Sequence, residues 1–241
     1  MDMTRNAMEY IVEQAQPKVI ELDGERHSDK RLIRIPWNER AVALQVSTLT
    51  SFVDYIKSNV DTIESKMLVH VVSPTEVQLV SSLDLDRKRE VLVSAIADLP
   101  EFQYGEYIGH EKFLIAMQAK FLPGKDWDLL LKFAGTVRSV SVAEYGDDGV
   151  TQKATVKSGV SSVTYAVVPN PVTLAPYRTF LEVKQPESSF VFRMRDDDVR
   201  GVQCAIFEAD GGAWKYEAKR NVANYIRAEL EDLKDMFTVI Y

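Results

Sequence analysis

The sequence predicts an α+β fold: a mainly antiparallel meander sheet flanked by short helices, with an N-terminal helical arm and a C-terminal amphipathic helix. Three observations carry this. From Tyr165 to Ala218 alternating apolar runs are separated by turns marked with Pro or Gly. A second set of period-two runs follows Met67. Between and around these sets, apolar residues recur at helical spacing.

Taken in order, Met8, Ile11, Val12 and Ala15 form one stripe, which predicts a helix ending before Pro17. The polar run Glu21 to Arg34 then reads as a linker or arm, so residues 1–35 are expected to stand apart from a single α+β domain spanning 36–241. Ser47 or Thr48 caps a helix whose stripe is Leu49, Phe52, Val53, Ile56 and Val60. The runs 67–72, 77–83 and 91–97, separated by Ser73-Pro74-Thr75 and a charged connection, read as a meander. The third run is readable as strand or helix because of its alanines.

Phe113, Leu114, Met117 and Phe121 predict a helix stopped by Pro123-Gly124; Asp126 then caps another that carries Trp127, Leu130, Leu131 and Ala134 before Gly135. A sub-boundary near 123–125 is the alternative to one continuous domain. Beyond Thr136, strands are expected at 137–145 and 150–157 around a Gly146-Asp147-Asp148-Gly149 turn, then at 160–168, 177–184, 188–195 and 202–209. Asp210-Gly211-Gly212 turns the chain into a helix from Glu217 to Asp235, and Phe237 to Tyr241 reads as an edge strand.

Several function classes lose weight on composition. A net charge of −7 over 241 residues disfavours a nonspecific nucleic-acid coat, which needs basic surface and counterion release. One cysteine, Cys204, excludes an internal disulfide framework and reads as a small buried strand residue. The N-terminus lacks a signal-peptide apolar segment and no run is long enough to cross a bilayer, so no membrane partner and a cytoplasmic location are expected. His27, His70 and His110 stand at no metal-ligand spacing, and no cofactor is expected.

The sharpest catalytic candidate is Glu182-x-Lys184, a pattern that in restriction-type nucleases sets a Mg²⁺-binding carboxylate and a lysine on one face of a strand. Its missing third acid would have to come from Asp147 or Asp148. Glu208 and Asp210, and the run Asp196-Asp197-Asp198, are candidate oxygen ligands for a hard cation. Arginines at 193, 195 and 200, with Tyr177, Phe190, Phe192 and Trp214, offer a nucleic-acid stacking face, against the simpler reading of the aromatics as core.

Two longer runs are more specific. Leu174 to Pro186 reads L-A-P-Y-R-T-F-L-E-V-K-Q-P, and Phe207 to Trp214 reads F-E-A-D-G-G-A-W. With Leu49 to Ile56, L-T-S-F-V-D-Y-I, they resemble the phage and prophage protein family typified by the enterobacterial prophage protein YfdQ, over most of the chain past residue 45. The resemblance implies an early, non-structural phage product encoded near recombination and replication functions and acting in the host cytoplasm. It brings no established activity.

The motif residues Pro176, Tyr177, Arg178, Phe180, Pro186, Asp210, Gly211, Gly212 and Trp214 are expected to mark the fold, with Arg178 pairing acids of a neighbouring loop. The expectation is therefore a non-enzymatic accessory protein that self-assembles and contacts host or phage proteins, with a role in host functions or defence. The alternatives are a nucleic-acid-binding accessory of recombination or replication and a Mg²⁺-dependent nuclease using Glu182 and Lys184.

Overall fold

A computed structural model describes residues 4–22, 24–30, 40–137, 142–147, 152–158, 162–167, 170–197 and 199–241. The chain divides into two units, residues 1–40 and residues 41–241.

In the first unit, helix α1 (Arg5–Ala15) precedes a hairpin of β1 (Val19–Leu22) and β2 (Glu25–Ser28), paired antiparallel around Gly24 at φ 81°. The charged run expected to be a linker thus includes strand. Local bonds explain this: Asp29 Oδ1 accepts from the Lys18 amide at 2.7 Å, and Lys30 Nζ donates to the Gln14 carbonyl at 2.6 Å. A cation on the last carbonyls of a helix is favoured by the axial dipole.

The second unit opens with β3 (Leu44–Val46), α2 (Leu49–Ser58), β4 (Met67–Ser73), β5 (Glu76–Ser81) and β6 (Val91–Ile96). Thr48 caps α2 as expected, accepting from the Ser51 amide at 3.1 Å, and Asn59 closes it at φ 47°. The capping contributes about 1 kcal/mol. Val60 lies beyond the helix and is exposed.

Next come β7 (Ile108–Gly109), α3 (His110–Lys120), β8 (Phe121–Leu122), α4 (Lys125–Val137), β9 (Val142–Asp147), β10 (Gln152–Ser158), β11 (Ser162–Val167), β12 (Val172–Pro176), β13 (Ser188–Asp197) and β14 (Gly201–Glu208). The chain ends with α5 (Trp214–Glu229), a 3₁₀ turn (Glu231–Leu233) and β15 (Phe237–Ile240). The long C-terminal helix therefore starts earlier than expected and breaks before Asp235.

Among the described residues the strands of the second unit form two five-stranded sheets and an antiparallel three-stranded ribbon, β11-β10-β9. The first sheet, ordered β15-β4-β5-β6-β3, has the predicted antiparallel meander at its centre. Its edges depart from a meander, because β15 runs parallel to β4 and β3 parallel to β6. α2 joins β3 to β4, which run in the same direction, a connection that a two-residue turn cannot make. The 91–97 run resolves as strand, with Val93 and Ala95 buried.

Apolar positions of α2 (Leu49, Phe52, Val53, Ile56) and α5 (Ala218, Val222, Ala223, Ile226) are buried in one core with alternate residues of the first sheet, among them Val69, Val71 and Leu79. The second sheet, β7-β14-β13-β12-β8, shares a separate core with α3 and α4, in which Phe113, Met117, Leu130, Phe190, Phe192 and Ile206 are buried.

Four local expectations are corrected. Phe121 leaves the helix to pair with Pro176, because β12 offers an open edge there. Asp126 reaches across to accept from the Thr173 amide at 2.8 Å, which ties α4 to β12. Gly146 and Asp147 belong to the β9 ladder, opposite Lys153 and Gln152, while Asp148 and Gly149 lie outside the described residues. Residues 177–184 form no strand: after Pro176 the chain turns, and the loop is closed by side-chain bonds.

That loop sends Phe180, fully buried, into the core of the first sheet, although β12 and β13 on either side of it belong to the second. Phe180→Ala is expected to destabilise the protein by about 3–5 kcal/mol through loss of buried area and the void left behind. Urea denaturation followed by circular dichroism checks this.

Candidate functional site

The two sequence motifs meet at Arg178. Its side chain, 8% exposed, lies flat over the Trp214 ring at 3.9 Å from guanidinium carbon to ring centroid, with Phe190 at 5.5 Å. Its Nη1 donates to Glu208 Oε1 at 2.8 Å, and its Nη2 donates to Ser188 Oγ. The Ser188 hydroxyl in turn donates to Asp210 Oδ2 at 2.7 Å. A planar guanidinium serves both directions at once, which a lysine cannot do.

Asp210 shapes the turn into α5. Its Oδ1 accepts from the Gly212 amide at 3.0 Å, while Gly211 and Gly212 take φ values of 63° and 81° that favour glycine. Burial pushes the Asp210 carboxyl up, but the Ser188 hydroxyl, the amides of Gly212 and Trp214 and the Arg178 charge outweigh it and hold the group below the usual range. For Arg178, burial lowers the guanidinium pKa, opposed by Tyr104, Glu208 and Asp210. Tyr104 stacks on Phe190 at 5.6 Å, and burial raises its hydroxyl to about 12.

Gln185 closes the loop that presents Arg178. Its Oε1 accepts from the amides of Arg178 and Thr179 at 3.0 and 3.1 Å, and its Nε2 donates to the carbonyls of Thr179 and Phe180 at 3.1 and 3.0 Å. Thr179 Oγ1 donates to the Pro74 carbonyl at 2.6 Å, in the β4–β5 turn. One side-chain amide here replaces strand hydrogen bonds, satisfying backbone groups that burial would otherwise penalise. Sequence reading missed Gln185, Ser188, Thr179 and Tyr104 as partners; only Gln185 and Thr179 stood inside a motif.

The catalytic candidates do not gather. Glu182 Oε1 accepts from the Thr50 amide at 3.2 Å, in the first turn of α2 where a carboxylate complements the exposed amides. Lys184 is exposed, and its carbonyl accepts from Asn221. Glu208 and Asp210 are turned to Arg178 and Ser188. Asp147 ends β9, but its side chain, like Asp148, lies outside the described residues. Among the described residues no group of three or more His, Cys, Asp or Glu is placed to hold a metal ion.

The other singled-out residues find structural places. Phe190 and Phe192 are fully buried, so they present no stacking face to a nucleic acid. Tyr177 donates its amide to the Lys120 carbonyl, and Pro186 is buried beside Gln185. Cys204 is buried, and burial raises its thiol to about 12. His110 donates from Nε2 to the Ala134 carbonyl at 2.7 Å. Among the described residues no helix is long and apolar enough to cross a membrane.

Beside the Arg178 cluster lies a shallow cleft of about 210 Å³ whose walls include Glu187, Asp210, Trp214 and Glu217. The arrangement can hold charge and fix a turn. Comparison with family models, curated proteins and solved structures returned no match for this chain.

Arg178→Lys and Arg178→Ala are expected to lower stability in that order of severity, the alanine by about 2–4 kcal/mol; Glu208 reaches water and recovers part of the loss. Thermal melts of both variants check the ranking. Because its folded pKa is depressed, Asp210 stabilises the fold above its unfolded value near 3.8, and that contribution is lost as pH falls through the folded value. Asp210→Asn is expected to give a shallower loss of stability in this acid window, read from denaturation midpoints against pH. Cys204 is expected to resist thiol reagents at pH 8 in the native protein and to react on unfolding, which a chromogenic disulfide assay with and without denaturant measures.

Proposed function

We propose that this chain is a non-enzymatic accessory protein of an early phage or prophage gene set, acting by self-assembly and by contact with other proteins. The observation that carries the reading is α1. Met8, Ile11 and Val12 lie on one stripe and are 50%, 54% and 59% exposed, and no residue of the helix is buried. A short amphipathic helix gains most of its stability from covering its apolar face, so a stripe left open calls for a partner surface.

The occupant is a second copy of the same chain. Homo-oligomers are the commonest soluble assemblies, and each copy brings both the stripe and the surfaces to receive it. β3 and β15 are the edge strands of the first sheet, with exposed Val42 and Leu44 at one edge and Ile240 and Tyr241 at the other. The motif residues support the same reading from the other direction: Arg178, Glu208, Asp210 and Trp214 bond to one another, as scaffold residues do.

Light scattering after gel filtration at about 10 µM is expected to give twice the chain mass or more, a concentration suited to micromolar association. Ile11→Glu is expected to shift the protein to a monomer with an unchanged circular dichroism spectrum. A wild-type monomer under these conditions overturns the reading.

A further inference from the structure

We propose that the cleft at the N-terminus of α3 binds a phosphate-bearing small molecule of nucleotide size. The cleft, about 680 Å³ in volume, forms where β7 turns into α3 alongside β14. Sites for small organic ligands fall in the range of roughly 300–1,000 Å³.

Donors converge there. The amides of His110, Glu111 and Lys112 open α3, and amides of a first turn have no partner within their own helix. The capping residue is Gly109, which has no side chain to take them, and a Cβ built on it would meet nothing within 4 Å. The backbone is therefore open to a ligand oxygen at the end of the helix where the dipole favours an anion.

Two buried side chains supply an independent indication. Gln203 is 4% exposed and lines the cleft; its Oε1 is taken by Arg195 Nε and Nη2 at 2.9 and 2.8 Å, which leaves Nε2 with no acceptor among the described residues. His110 is 8% exposed and spends Nε2 on the Ala134 carbonyl, leaving Nδ1 without a partner among them. Neither nitrogen is sealed in, since the buried unpaired side-chain atoms among the described residues are Arg178 Nε and Trp214 Nε1. Both nitrogens thus reach solvent, on residues that line the cleft. The amide is suited to donate to a phosphate oxygen, and Nδ1 to accept from a phosphate hydroxyl.

Charge at the cleft favours an anion. Arg200 and Lys112 line it and form no ion pair among the described residues, against a single acid in the lining, Glu111. The nearby Asp197 accepts on Oδ1 from the amides of Val199 and Arg200 at 3.0 and 2.9 Å and keeps its charge. Tyr107 forms an aromatic part of the wall, held by the Arg195 guanidinium 4.1 Å from its ring centroid. Cations with amide donors suit the phosphate, and the ring suits an organic remainder such as a base.

Isothermal titration calorimetry of the full chain with adenosine monophosphate, inorganic phosphate and a short oligothymidylate tests this. Adenosine monophosphate is expected to bind, with phosphate competing more weakly. Gln203→Glu keeps the acceptor that Arg195 needs while replacing the donor, and Arg200→Ala removes a cation at the surface. Each is expected to cut affinity about tenfold or more, Arg200→Ala without moving the melting temperature of the free protein, whereas Lys66→Ala changes nothing. No binding of nucleotide or phosphate up to about 10 mM overturns the proposal, as does binding that both cleft variants leave unchanged. Binding of the oligonucleotide without the mononucleotide overturns it in favour of a nucleic-acid strand.

Discussion

The buried guanidinium of Arg178 is the interaction on which the main unit depends. Removing a charge from water is costly, and the cost is offset only when hydrogen bonds and an opposite charge meet it in good geometry. Glu208, Ser188 and the faces of Trp214 and Phe190 supply that geometry. Through Ser188 the same network reaches Asp210, whose carboxylate holds the glycine turn into α5. The end of β14, the start of β13, the 177–187 loop and the start of α5 are thereby fixed by one planar side chain.

Position explains why so much rests on this point. Among the described residues two apolar cores form, one for each five-stranded sheet. The loop after Pro176 leaves the second sheet, inserts Phe180 into the core of the first, bonds to the β4–β5 turn through Thr179, and returns at Ser188. A loop that deep would strand its backbone polar groups. Gln185 prevents this by offering both a carbonyl and an amino group to the amides and carbonyls around it.

Charges that suggested chemistry in the sequence are therefore divided between two uses. Glu182, Glu208 and Asp210 stabilise a helix start, a guanidinium and a turn, where their partners lie within the protein. Arg200, joined at the cleft by Lys112 and the first amides of α3, forms no ion pair among the described residues. That difference in satisfaction, rather than residue type, separates scaffold from a surface prepared for another molecule. The open stripe of α1 belongs with the second group, its unmet demand being apolar.

By itself the sequence determined what depends on near neighbours along the chain. The stripe of α2 from Leu49 to Ile56, that of α5 from Ala218 to Ile226, the Thr48 cap, the β4–β6 meander, the β13–β14 pairing and the burial of Cys204 follow from periodicity and short-range bonding, and these stand in the structure. Tertiary structure decided what depends on residues distant in sequence. Alternation suggested a strand at 177–184, but Gln185 and the core that receives Phe180 made it a loop; Asp126 looked like a cap until Thr173 lay within its reach. The parallel edges of the first sheet and the cleft joining Gly109 to Gln203 were equally out of view, because strand partners from about 50 to 170 residues apart leave no periodic trace for a linear reading to find.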